Sequence, residues 1–64
     1  MKHYAILNNY ELGSKLKCTP TDKIVSQQRL DSKKTKVVYE NLDNFEIRYT
    51  NRYLGNKLKE LKEI

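Results

Sequence analysis

Two helix-start signals coincide at Asp43, and they constrain the fold more sharply than any other feature of the chain. Asp43 can accept from backbone amides of a first helical turn, and Glu46, three residues later, can answer it. That is a capping box with Asp in place of the usual Ser or Thr. Leu42 just before the cap and Ile47 four residues after it supply a hydrophobic staple. Periodicity alone is ambiguous here: Phe45, Ile47 and Tyr49 alternate as in a strand, while Leu42, Phe45 and Tyr49 recur as on a helix face. The end chemistry decides for a short helix over about residues 44–50, with Gly55 ending or bending the segment. Phe45 and Tyr49 then stand one turn apart on one face, with Glu46 beside them.

Ahead of that helix, Ile24-Val25 opens a run ending at Leu30, and Asp31-Ser32-Lys33-Lys34 is polar turn material. Thr35-Lys36-Val37-Val38-Tyr39 is β-branched and aromatic, so residues 24–39 read as a β-hairpin. A helix after Pro20, capped by Thr19, is the competing reading of the first arm. Residues 4–7 can start a strand, with Asn8-Asn9 as a turn and Gly13-Ser14 as a second break. Residues 1–22 otherwise have no assigned organisation. The tail, residues 56–64, is helical by the spacing of Leu54, Leu58 and Leu61, and a final strand stays open. The predicted fold is a single small α+β domain over residues 1–64: a hairpin, a short helix, and a C-terminal strand or helix.

A 64-residue chain buries only about 60% of its unfolded surface, so it gains from a staple, a metal or a partner subunit. One cysteine excludes an intramolecular disulfide and suits a reducing cytoplasm. His3 and Cys18 stand apart from each other, so neither a metal site nor any cofactor is expected. Self-association is left, and a homodimer is expected. Tyr4-Ala5-Ile6-Leu7 is too short for a signal-peptide core or a membrane span, so no export and no membrane are expected. The richness in Lys, Asn, Ile and Tyr suggests an AT-rich bacterial or phage genome.

The inventory argues against an enzyme. Neither a Cys-His nor a Ser-His pairing can be argued, and the carboxylates have no spacing that splits acid from base. A net charge of +5 makes nucleic acid the default partner, although the lysines equally serve as solvated surface. Tyr4, Tyr10, Tyr39, Tyr49 and Tyr53 are candidates to stack bases, and Arg29, Arg48 and Arg52 to grip phosphates. Against this basic background, Glu40, Asp43 and Glu46 gather around Phe45 and Tyr49. Charges rimming an apolar patch suit a protein interface. The plainer alternative makes Phe45 and Tyr49 the buried face of a helix packed on the hairpin.

The segment Leu42-Asp43-Asn44-Phe45-Glu46-Ile47-Arg48-Tyr49, with Asn51 and the Lys/Leu-rich tail, resembles the end of the small dimeric uracil-DNA glycosylase inhibitors of Bacillus phages. Tyr39-Glu40 resembles their Tyr-Glu pair at a strand end. The resemblance covers roughly the last third of the chain. It implies a homodimer that imitates DNA, with an apolar pocket for the side chain that the glycosylase inserts into the minor groove. Phe45 and Tyr49 would line that pocket and Glu46 would replace a phosphate, with Glu40 the weaker match and Leu42 and Asp43 alongside. The setting would be the cytoplasm of a bacterial host. The relatives are acidic, whereas this chain is basic outside the run from Glu40 to Glu46. The alternative function is a basic nucleic-acid-binding accessory protein of a phage or plasmid.

Overall fold

The computed structural model describes residues 1–62. The first strand, β1 (Lys2–Asn8), runs through the sheet interior and leads directly into α1 (Asn9–Leu16). A single 3-10 turn at Thr21–Lys23 follows Pro20 and precedes the hairpin strands β2 (Ile24–Arg29) and β3 (Lys34–Glu40). The chain ends with α2 (Asn44–Leu54) and the short β4 (Lys59–Leu61). The four strands form one antiparallel sheet in the order β2-β3-β1-β4. This β-α-β-β-α-β arrangement is the split βαβ topology, an α+β fold.

Strand alternation explains the layers. His3, Ala5 and Leu7 of β1 and Thr35, Val37 and Tyr39 of β3 are buried, on one face of the paired strands. Leu12 and Leu16 of α1, and Ile47 and Leu54 of α2, pack on that face with Leu42 and Leu58. Both helices therefore cover one side of the sheet. Tyr4, Ile6, Lys34, Lys36 and Val38 fall on the other side.

The hairpin matches its sequence signals. Its loop is 30–33, and the Asp31 carboxylate accepts the amides of Lys33 at 2.7 Å and Lys34 at 2.8 Å. Those two backbone bonds hold the Asp31 carboxyl below its ordinary acidity range.

The first 22 residues differ from expectation. Asn8-Asn9 is the direct junction of β1 with α1 rather than a turn between strands, and Gly13-Ser14 is no break, because α1 runs through it. Asn9 spends its polar groups on the hairpin loop instead: its amide donates to the Lys33 carbonyl at 2.7 Å, and its side-chain oxygen accepts the Thr35 hydroxyl. Leu12 and Leu16, four residues apart, then gain a buried face, which outweighs the weak helix propensity of Gly13.

The tail resolves to a strand. Gly55 (φ 73°) and Asn56 (φ 62°) are both left-handed, so Leu54 and Leu58 cannot share a helix face although both are buried. Asn51 fixes the reversal. Its carbonyl accepts the Asn56 amide at 2.6 Å, and its side-chain oxygen accepts the Leu58 amide at 3.0 Å. Residues 63 and 64 of the predicted 56–64 tail lie outside the described residues. α2 also runs past the predicted residue 50, to Leu54, where the left-handed Gly55 stops it.

Tyr39 ties the layers together. Its buried hydroxyl donates to Thr19 Oγ1 at 2.8 Å, and Thr19 donates to the Leu16 carbonyl at 2.8 Å. Burial pushes the Tyr39 phenol above its ordinary value.

The two glycines should respond to alanine with opposite signs. A Cβ at Gly13 meets nothing within 4 Å, and its helical backbone suits alanine. Gly13→Ala should stabilise by about 0.5–1 kcal/mol. Gly55→Ala should destabilise by about 1 kcal/mol, because its φ is positive. Urea denaturation of both variants checks the pair. The Tyr39 phenol keeps its proton longer in the folded than in the unfolded chain, so its stabilising contribution is complete at neutral pH. Stability should fall as pH rises from about 10 through the higher folded-state value. Tyr39→Phe should weaken that dependence, which denaturation curves between neutral and alkaline pH would reveal.

Candidate partner-binding site

The first turn of α2 is a rigid scaffold. The Glu46 amide donates to Asp43 Oδ1 at 2.7 Å, and the Asp43 amide donates to Glu46 Oε1 at 3.0 Å. The Ile47 amide donates to the Asp43 carbonyl at 2.9 Å, so the turn is closed from its first bond. Both carboxylates are consequently held in one rotamer at the positive end of the helix. Leu42, 8% exposed, and the half-buried Ile47 belong to the core beneath. Leu42 therefore serves the core as a staple residue, and little of its surface is open to a partner.

The rest of α2 places its side chains by the same logic. Ile47, Thr50 and Leu54 recur at helical spacing and define the inward stripe. Phe45 lies on the opposite side and is 75% exposed, with Tyr49 above it at 47%. Their rings stack with centroids 6.3 Å apart and planes 15° apart. The two aromatics are thus not a buried helix face but an exposed apolar patch on the outer side of α2. Arg48 and Arg52 share this outer face by their spacing, and both are exposed. Acid thus stands at the start of the patch and base along its length. Tyr49, Arg52 and Tyr53 line a shallow depression of about 410 Å³.

Glu40 is not brought to this patch. It ends β3 opposite Lys2, on the side of the sheet away from the helices, and lines a separate depression with Met1, Lys2, Glu60 and Leu61. The five tyrosines are likewise dispersed. Tyr39 is in the core, Tyr4 lies on the open sheet face, and Tyr10 is 96% exposed on α1. Tyr53 donates to the Ser14 carbonyl at 3.0 Å with the Lys15 ammonium 5.8 Å above its ring, so it fastens α2 to α1. The neighbouring Cys18 thiol raises the Tyr53 phenol above its ordinary value. The interleaved Arg48, Tyr49, Arg52 and Tyr53 therefore do not present four free groups on one surface.

Sequence reasoning missed a second surface. Tyr4 and Ile6 of β1, Lys34 and Lys36 of β3, and Lys57 and Lys59 near β4 converge on the open face of the sheet. The alternation of His3, Ala5 and Leu7 against Tyr4 and Ile6 is the signal that would have found it, once residues 2–8 were recognised as a strand paired with β3.

Among the described residues, no group of three His, Cys, Asp or Glu side chains is placed to hold a metal ion. No helix among the described residues is long and apolar enough to cross a membrane. Comparison with protein-family models, curated proteins and solved structures gives no match.

The cap has a measurable worth. Asp43→Ala should cost about 1 kcal/mol in urea denaturation and lower the amide protection of Glu46 and Ile47 selectively. Equal loss of protection across β1 and β3 would mean that the box is not local support for α2.

Proposed function

We propose that this protein is a non-enzymatic inhibitor of a uracil-DNA glycosylase, acting through the outer face of α2. The carrying observation is the stacked and exposed Phe45–Tyr49 pair beside a Glu46 fixed by the capping box. An aromatic pair open to solvent suits an apolar side chain that the enzyme would otherwise insert into the DNA minor groove. A carboxylate already locked in one rotamer loses little freedom on binding, so it suits the role of a phosphate surrogate. Asp43 adds a second negative group at the same helix end. The resemblance of residues 42–49 to the phage inhibitors supports the same assignment.

In this reading the chain acts as a homodimer, in which a second α2 turns the shallow depression beside Tyr49 into an enclosed receptacle. Small size supports association, because a domain of this length buries little surface by itself. The net charge of +5 opposes approach to a DNA-binding cleft. Much of that excess sits on the open sheet face, at Lys34, Lys36, Lys57 and Lys59, away from Phe45. Inhibition would protect uracil-containing phage DNA from base excision inside the host.

Titration into a glycosylase assay with a uracil-containing oligonucleotide should show stoichiometric loss of cleavage. Phe45→Ala should weaken inhibition at least 100-fold with an unchanged circular dichroism spectrum, since the ring contributes little to the core. Glu46→Gln keeps a capping acceptor and removes the charge, so it should weaken inhibition about tenfold without loss of stability. Full cleavage at a large molar excess of the folded wild-type chain would refute the assignment.

A further inference from the structure

The open face of the sheet is built unlike the α2 patch, and it points to a different ligand. With both helices on one side, no element among the described residues covers the other side of the inner strands β1 and β3. Tyr4 lies between Val38 of β3 and Lys59 of β4 in the cross-strand register, and Ile6 lies opposite Lys36. The Lys36 ammonium is 5.1 Å from the centre of the Tyr4 ring. Tyr4, Ile6, Asn8, Lys34, Asn56, Lys57 and Lys59 line one groove of about 610 Å³. Among the described residues no acidic side chain lines it, and Glu40 lies at the far end of β3.

We propose that this groove binds single-stranded nucleic acid, with Tyr4 as the stacking platform and Lys34, Lys36, Lys57 and Lys59 as the phosphate contacts. Charge complementarity selects a polyanion. The aromatic ring, half-exposed among cations, selects one with flat apolar groups between its charges. Bases of a single strand present such faces at every step, whereas a duplex hides them in its stack. A flat sheet also exposes a ring on an inner strand without a cleft, which is the way sheet-based single-strand binders present aromatics. Ile6, 39% exposed, extends the apolar floor beside Tyr4. The acidic start of α2 is on the helix layer, so it does not repel a strand laid across this face. The inference is independent of the glycosylase reading, because it uses none of the residues of α2.

Fluorescence anisotropy with a labelled mixed-sequence DNA 12-mer tests it. The affinity should fall with salt at a log–log slope of about −3, as expected for roughly four phosphate contacts on a single strand. Lys34→Glu with Lys59→Glu should weaken binding at least tenfold, and Tyr4→Leu, which keeps the apolar packing, about tenfold. Circular dichroism of each variant should match wild type. Both variants should inhibit the glycosylase as wild type does. Absence of binding in low salt overturns the proposal. So does binding that survives the lysine reversals and is lost in Arg48→Glu with Arg52→Glu, which would place the strand on α2. A sedimentation-detected dimer that dissociates in Tyr4→Leu would also overturn it, assigning the face to a second copy of the chain.

Discussion

The register of β1 against β3 is the constraint on which the rest of the molecule depends. Pairing Ala5 with Val37 and His3 with Tyr39 sends those side chains to the helix side and sends Tyr4, Ile6, Lys36 and Val38 to the other. A slip of one residue would exchange the two sets, exposing Ala5 and Leu7 and burying lysines. The penalty for that exchange is what makes one arrangement win in a chain with so little core. The buried hydroxyl chain from Tyr39 through Thr19 to the Leu16 carbonyl reinforces the choice, because it forms only when Tyr39 faces α1. Buried hydroxyls without partners would be costly, so this chain discriminates against alternatives as well as stabilising the native layer.

Two polar exceptions sit in the same layer. Among the described residues, His3 Nδ1 and Thr50 Oγ1 are buried without hydrogen-bond partners. Both lie where a sheet or helix position must face the core by geometry, and each gives up some of the stability that an apolar residue of the same shape would supply.

What the sequence made legible follows from how local each signal is. The capping box at Asp43 and Glu46, the staple of Leu42 and Ile47, and the hairpin around Asp31 all act within a few residues, and all could be read directly. The outward position of Phe45 was open in sequence, since its spacing to Tyr49 equally describes a buried face. What settles it is Ile47, Thr50 and Leu54, which claim the inward stripe. The start of the chain was misread because Asn9 has turn chemistry but uses it over a long sequence distance, on Lys33 and Thr35. The tail was ambiguous for a similar reason: Leu54, Leu58 and Leu61 keep helical spacing across two left-handed residues that break it. Glu40 and Glu46, six positions apart in a short acidic run, end on different sides of the sheet because one belongs to β3 and the other to a helix crossing behind it.

Asn51 joins two elements through a single side chain and its own carbonyl. The last turn of α2 and the approach to β4 both end on it, at the Asn56 and Leu58 amides. β4 is only three residues long and has few ladder bonds of its own, so its attachment to β1 leans on that anchor. Fraying of the helix end and release of the outermost strand are therefore one event rather than two. A load applied at the far end of α2 would be felt as loosening at the rim of the sheet.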